Sequence, residues 1–340
     1  MIKIAAYSIT LNCVEAKIPF QESIQNHLSF CDYVAVVDGG SSDGTWEILQ
    51  KLAEHHSPRL IIEQASWNYD DPAMMGKQKT FARRLCPLEC THVIQTDMDE
   101  LLPNHQWKSV RRLIRNHPDK ILFDVGCINF HGGLKTTSVK KEHGWKWRIS
   151  RNLPNIIHGV PYQFRQKDAD GNPFFDRSLS DSCEYIWESG PDEGQLVPTF
   201  ITWDKRLWQL HGMLSGDGPA SEDIVAKNLY AEILSSMANS TELPCWHHFS
   251  WVNYERKILN DVFWKKQKRY SKDGVQTKGK FVPVDNDQEI TARDVQRKCL
   301  QLLSEPLIAL KIDNYPSEII PWCRSLGVNQ LKWSKYDKGA

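Results

Sequence analysis

The regular exchange of apolar runs and helical patterns through residues 2–123 constrains this chain more than any other feature of its sequence. Short apolar or β-rich runs occur at Ile2 to Tyr7, Tyr33 to Val37, Leu60 to Ile62, His92 to Ile94 and Ile121 to Phe123. Between them, Pro19 to Leu28, Thr45 to Glu54, Met75 to Leu85 and Trp107 to Arg115 read as amphipathic helices. Strand, helix, strand in repetition predicts an α/β fold with a mostly parallel sheet and covered faces. Ligands of such sheets sit outside the carboxyl ends of the strands, so the loops leaving those ends are where chemistry is expected.

The pattern then changes. From Asn129 to about Gly216 the sequence breaks into Gly, Pro, Asp and aromatic residues, which predicts loops and short strands. Ser221 to Met237, Asn253 to Tyr270 and Ala292 to Ser304 return to helical spacing, so residues 216–340 are expected to form a helical C-terminal region after a domain over 1–215. The polar residues from Lys332 onward are expected to fray.

Lysine plus arginine equals aspartate plus glutamate at 42 each, so the whole chain has no general attraction for nucleic acid or an anionic membrane. No apolar run approaches the ~20 residues that span a bilayer, and the start is too short and too polar for a signal peptide, which predicts a cytoplasmic protein without stable membrane insertion. Nine scattered cysteines, an odd number, read as buried reduced thiols.

Two strand ends carry acids. In Val36-Val37-Asp38-Gly39-Gly40-Ser41-Ser42-Asp43-Gly44-Thr45, a strand closes on Asp38, whose carboxylate can accept hydrogen bonds from a nucleobase imide. Gly39 and Gly40 let the backbone approach a ligand, and Ser42 or Asp43 can cap the following helix. A plain β-turn-α connection accounts for the same residues; the lysine of a phosphate-cradling loop and the spacing of a dinucleotide fingerprint are missing. In Val93-Ile94-Gln95-Thr96-Asp97-Met98-Asp99-Glu100, strand geometry would aim Asp97 and Asp99 to the same side. Two such carboxylates suit Mg²⁺ or Mn²⁺, which take few protein oxygens and leave positions for a diphosphate. Solvated acids ahead of a helix are the alternative.

Together, Asp38 to Thr45 and Asp97-Met98-Asp99-Glu100 resemble the signature of family 2 glycosyltransferases of the GT-A fold, over residues 1 to about 125. The resemblance implies a Rossmann-like domain in which Asp38 contacts the base, Asp97 the ribose or the metal, and Asp99 the metal. Ser8-Ile9-Thr10-Leu11-Asn12 resembles the first nucleotide-contacting loop of that family, with Thr10 in place of the usual proline, and Gly40 belongs to the second. Gly76 to Arg83 resembles the segment that reaches the nucleotide, which would make Lys77 and Arg83 contacts. His158-Gly159-Val160-Pro161, Ser180 to Ile186 and His247-His248-Phe249-Ser250-Trp251 resemble stretches of glycosyltransferase-like proteins of phages and their hosts. That likeness implies His248 as a third metal ligand and tilts the metal toward Mn²⁺. On its own residues, His247-His248 reads as a partly buried, hydrogen-bonded pair at a helix start.

The expected reaction is metal-dependent transfer of a sugar, with inversion, from a nucleotide diphosphate sugar, UDP-sugar favoured. A glycan, a protein and a base of viral DNA all stay open as acceptor. Inversion needs a general base; Asp181 is preferred and Glu184 follows, with Asp217, Glu222 and Asp223 behind, the last two also fitting a helix's first turn. Of thirteen tryptophans, Trp67, Trp145, Trp147, Trp187, Trp203 and Trp208 fall in or beside expected loops where an indole can stack on a sugar, although core packing explains most. Lys265, Lys266, Lys268 and Arg269 read as a solvated helix end, or as a contact for a phosphate-bearing acceptor. Two other classes compete: a nucleotidyltransferase, whose glycine-rich loop followed by Arg or Lys is missing, and a non-catalytic carbohydrate-binding protein, against which the intact acids argue.

Overall fold

The computed structural model describes residues 2–68, 74–139, 144–158, 185–187, 194–196, 198–216, 218–258, 275–277, 280–282, 292–303 and 307–328. The predicted alternation is present as β1 (Ile4–Thr10), α1 (Phe20–Leu28), β2 (Tyr33–Asp38), α2 (Thr45–His56), β3 (Leu60–Gln64), α3 (Met74–Arg84) and β4 (His92–Gln95), then, after an additional two-residue strand β5 (Glu100–Leu101), α4 (Trp107–Asn116) and β6 (Leu122–His131). Short strands follow: β7 (Thr136–Thr137), β8 (Trp145–Arg151), β9 (Ile156–His158), β10 (Tyr185–Trp187), β11 (Gly194–Leu196) and β12 (Phe200–Ile201). Then come α5 (Arg206–Ser215), α6 (Ile224–Asn239), β13 (Cys245–Trp251), β14 (Val275–Thr277), β15 (Lys280–Val282), α7 (Ala292–Leu303), β16 (Ile308–Ala309) and α8 (Ile319–Ser325).

The main sheet runs β3-β2-β1-β4-β8-β6-β13-β5, with β12 also on β6. Pairs β1–β2, β1–β4, β2–β3, β6–β12 and β6–β13 are parallel, while β8 lies antiparallel between β4 and β6, and β5 antiparallel on β13. Why the first strands are almost wholly apolar follows from what covers them. Ile4 and Ala6, with Val34 and Val36, pack under Ile24 and Leu28 of α1, Leu49 of α2 and Leu113 of α4. The alternate residues, Ala5 and Tyr7 with Ala35 and Val37, pack under Ala82 of α3 on the opposite face. Period-two alternation thus sends each strand's side chains into two cores.

A third core gathers Leu101, Ile128 and Phe130 from the sheet with Tyr230, Ile233 and Leu234 of α6, Phe249 of β13 and Ile319 and Trp322 of α8. Two differences from the sequence reading stand out. First, α5 occupies part of the stretch expected to hold only loops and short strands. Second, His247-His248 does not open a helix. Both lie in β13, parallel to β6 with His248 opposite Asn129, and antiparallel to β5 with His248 opposite Glu100. Helical neighbours on either side of this strand hid it: α6 precedes it and residues 254–258 are helical after it. The rest of the expected helix over Asn253 to Tyr270 lies outside the described residues, and with it Lys265, Lys266, Lys268 and Arg269.

Gln106, fully buried, fixes where β13 begins. Its Nε2 donates to the carbonyls of Met237 (3.0 Å), Ala238 (3.0 Å) and Ser240 (2.9 Å), and its Oε1 accepts from Cys245 N (2.7 Å). One amide therefore satisfies the orphan carbonyls at the end of α6 and the first N–H of the strand. Asn26 does the same for β5, its side chain bonding both the carbonyl (3.0 Å) and the N–H (2.8 Å) of Leu102. Among the described residues no helix is long and apolar enough to cross a membrane, and no cysteine is bonded; all the described cysteines but Cys299 are buried.

Candidate active site

The carboxyl ends of β1, β2 and β4 meet at one edge of the sheet, where Thr10 pairs with Asp38 across the two strands. Asp38 is fully buried and both of its oxygens are engaged. Oδ1 accepts from Thr10 Oγ1 (3.0 Å) and Ser41 Oγ (2.5 Å). Oδ2 accepts from Gly40 N (3.1 Å), Ser41 N (2.8 Å) and Gln64 Nε2 (3.1 Å). Its work here is to hold the turn after β2. The turn is in turn sewn to the loop after β1: Asn12 Oδ1 accepts from Ser42 N (2.8 Å), Asn12 N donates to Ser41 Oγ (2.8 Å) and Glu15 N donates to Asp43 Oδ2 (2.7 Å). Gly40 sits at φ 87°, the left-handed region that glycine tolerates best. Gly39 has a different reason, since a Cβ there would stand 2.9 Å from Trp67 Cε3.

The second motif is a turn rather than a continuing strand. Glu100 N donates to Asp97 O (3.0 Å), and Asp97 N donates to Glu100 Oε2 (3.2 Å). The two aspartates therefore do not share a direction through strand pleating; each faces its own partners. Asp97 Oδ1 lies 3.3 Å from Lys79 Nζ and accepts from Gln95 Nε2 (3.1 Å), while Oδ2 lies 3.2 Å from Arg148 Nη2. Burial works against its charge, but Lys79, Arg148 and Lys146 beside it hold the carboxyl well below the usual range. Glu100, fully buried, takes Arg148 Nη2 at 2.5 Å and Lys146 Nζ at 2.9 Å, and those cations keep it ionised against its own desolvation. Gln95 Oε1 also receives Arg148 Nη1.

Asp99 faces His248, with Oδ1 3.4 Å from Nε2. Burial again opposes the charge, and His248 and Arg256 bring the carboxyl far below its ordinary value. On the other side of the ring, His248 Nδ1 meets Asn129 Oδ1. Asn129 thus holds the ring with Nε2 turned toward Asp99, the nitrogen that a metal ion would use. Lys146 Nζ stands 3.3 Å from Nδ1. β13 also bonds the turn itself, since Phe249 N donates to Asp99 O (2.9 Å). Among the described residues no three His, Cys, Asp or Glu side chains gather as a metal cluster; Asp99 and His248 form a two-donor edge with Asp97 nearby but held by cations. That donor set, an imidazole nitrogen and a carboxylate facing each other, fits a divalent ion.

The other expected residues divide into those described and those not. Lys77 is exposed, whereas Lys79, two positions on, is the lysine of α3 that reaches Asp97. Arg83 is buried and donates to Ser150 Oγ (2.8 Å) and the Arg151 carbonyl (2.7 Å), tying α3 to β8. Asp181, Glu184 and Asp217 lie outside the described residues. Asp223 caps α6, its Oδ1 accepting from Val225 N (2.8 Å) and Ala226 N (3.0 Å). Trp145 and Trp203 stack on each other with centroids 4.2 Å apart, and Trp208 is 67% exposed on α5. Sequence reasoning passed over Lys146 and Arg148 as well. Their signal was present in Trp145-Lys146-Trp147-Arg148, whose strict alternation puts both cations on one face of a strand.

No family model and no curated protein matches the chain. Among solved structures it is similar to S. aureus TarS at 15% identity, over 70% of this chain and 44% of that one, with a TM-score of 0.33. The chain therefore spans less than half of that protein. S. aureus TarS 1-349 in complex with UDP-GlcNAc matches at 15% identity over 78% of this chain and 81% of that one, TM-score 0.35. A nucleotide-diphospho-sugar transferase from Desulfovibrio desulfuricans G20, so described as putative, matches at 11% identity over 46% and 67%, TM-score 0.28. Likeness of that degree decides nothing about activity, which has to be argued from the chain's own residues.

Proposed function

We propose that this protein is a metal-dependent glycosyltransferase that takes a sugar from a nucleotide diphosphate sugar, a UDP-sugar in the first instance, and inverts the anomeric centre. The observation that carries the reading is the Asp99–His248 pair at the carboxyl edge of a mostly parallel sheet, with Lys146 beside His248 and Lys79 and Arg148 on the neighbouring Asp97. A carboxylate and an imidazole offer a divalent cation its ligands, and buried cations beside them suit a diphosphate.

In this reading Asp99 and His248 hold Mn²⁺ or Mg²⁺, with Asp97 as the third ligand. The metal, when bound, supplies neutralisation of the charge that develops on the departing diphosphate. Asn129 fixes the orientation of His248. Arg148, anchored by Glu100 and Gln95, positions Asp97. Asp38, saturated by five protein donors, acts through the loop it shapes, in which Thr10 and Gly40 are the candidate neighbours of a base and ribose. Asp181 and Glu184 are retained as candidate bases, and the acceptor is left open among glycans, proteins and DNA bases.

The test is donor hydrolysis. UDP-, GDP- and TDP-sugars are incubated with Mn²⁺, Mg²⁺ or EDTA, and release of nucleoside diphosphate is measured. Metal-dependent release of UDP, lost in Asp99→Ala with an unchanged circular dichroism spectrum, supports the proposal. Unaffected turnover in Asp99→Ala, or release of pyrophosphate from a nucleoside triphosphate instead, removes it.

A further inference from the structure

Asp97 is the residue of this site that its neighbours keep from joining the Asp99–His248 pair, and Lys79 is the neighbour best placed to let go. Its ammonium lies 3.3 Å from Asp97 Oδ1 at the end of a side chain only 2% exposed, whereas Asp97 itself is 36% exposed at its side chain. Arg148 on the other oxygen is fixed by Glu100 at 2.5 Å and by Gln95, so that side of the carboxylate has no freedom. Lys79 reaches Asp97 from α3 along a flexible four-carbon stem.

A divalent cation that uses Asp97 must take up an oxygen now turned to that ammonium. Alone, it would leave a desolvated lysine beside a doubly charged ion, which is unfavourable on both counts. A diphosphate arriving with the cation reverses the balance, because its oxygens offer the ammonium a new anion at the same place. Among the described residues Asp97 and Glu100 already face Lys79, Lys146 and Arg148, and Asp99 faces His248 with Arg256 acting on it, so a metal–diphosphate unit whose charges largely cancel enters with less electrostatic cost than either part.

The geometry points to Lys79 as an exchangeable counter-ion: it neutralises Asp97 while the donor is absent and surrenders that carboxylate to the cation only when the diphosphate takes the ammonium. This rests on the proposed function and concerns the order imposed on binding at the same site. Lys79 is thus a positioning residue that excludes free metal and couples metal to donor.

Binding, not turnover, tests it. Mn²⁺ affinity is read by electron paramagnetic resonance and UDP affinity by calorimetry, in the wild type, Lys79→Met and Lys79→Arg, with Lys51→Met on α2 as a surface control. Lys79→Met keeps the stem and removes the charge. It is expected to bind Mn²⁺ without nucleotide about tenfold more tightly than the wild type, and UDP at saturating Mn²⁺ about tenfold more weakly, since coupling is reciprocal. Lys79→Arg is expected to keep free Mn²⁺ weak. Unchanged or weaker free-metal binding in Lys79→Met overturns the counter-ion while leaving the proposed function standing. Should Lys79→Met not fold, the wild type decides: Mn²⁺ bound as tightly without UDP as with it also overturns the counter-ion. A wild type that binds no UDP in the presence of Mn²⁺ overturns the proposed function and this inference together.

Discussion

His27 is buried completely in α1, and its ring is committed in both directions. With Nδ1 donating to the Ser23 carbonyl (2.8 Å), Nε2 is left to accept the indole N–H of Trp246 (3.4 Å). A proton added to Nε2 would face that N–H, and burial already pushes the imidazole down to about 4. The unfolded chain protonates His27 at about pH 6.5. Between those values the unfolded state holds the extra proton, so stability is complete above the higher value and falls as pH drops toward the lower one. For His27 the loss is about 3 kcal/mol, because each tenfold difference in proton affinity between the two states is worth about 1.4 kcal/mol. Urea unfolding at pH 7 and pH 4 is expected to show at least this loss, since burial also pushes down His92 and His247, and His27→Gln is expected to make the pH profile shallower. Asp99, held ionised far below its usual range, keeps its charge at pH 5. Asp99→Asn is expected to lower donor turnover at least ~100-fold, measured by UDP release, and also to lower the denaturant midpoint, since it removes the charge that His248 and Arg256 hold ionised. Of the site, the acids were readable because they end apolar strands. For Lys146 and Arg148 the alternation of their strand showed only a shared face, and for Lys79 there was no signal, because the importance of all three is a matter of which distant carboxylates they meet.

Elements divide the same way. β1 to β4 and the helices between them were legible since burial on both faces demands continuous apolar runs. β13 was not, because Cys245-Trp246-His247-His248-Phe249-Ser250-Trp251 has no Val or Ile and sits between helical segments. Its place is set by contacts that no local pattern announces, Gln106 above all. Gln106→Ala leaves the Cys245 N–H and three carbonyls without that partner and is expected to destabilise by about 3 kcal/mol or more, read by chemical denaturation. Activity should fall with it as His248 loses its register. On the strand beside it, a Cβ at Gly126 would stand 2.5 Å from Met237 Cε and 3.0 Å from Cys245 Sγ. Gly126→Ala is therefore expected to cost about 1–3 kcal/mol, since Met237 can move but the β13 backbone carrying Cys245 cannot move far.

On the scale of the molecule, the two stretches divided at residue 215 by the sequence reading share a sheet, because β13 fills the space between β6 and β5. Leu101, Ile128 and Phe130 have their apolar cover largely from α6, β13 and α8. A fragment ending at residue 215 is expected to show no cooperative thermal transition and to precipitate, which circular dichroism and light scattering would reveal; a soluble, cooperatively folded fragment would make the later residues an accessory.

That arrangement has a consequence for biosynthesis. A ribosome that has just released β6 needs on the order of ten seconds to reach Trp251, at typical elongation rates. Throughout that interval the hydrogen-bonding edge of β6 awaiting β13 is without its partner, and unpaired edges recruit other chains. The demand for chaperone protection during translation is therefore concentrated between the emergence of residue 131 and that of residue 245, and slowing elongation across this window should lower the yield of native protein more than slowing it anywhere upstream.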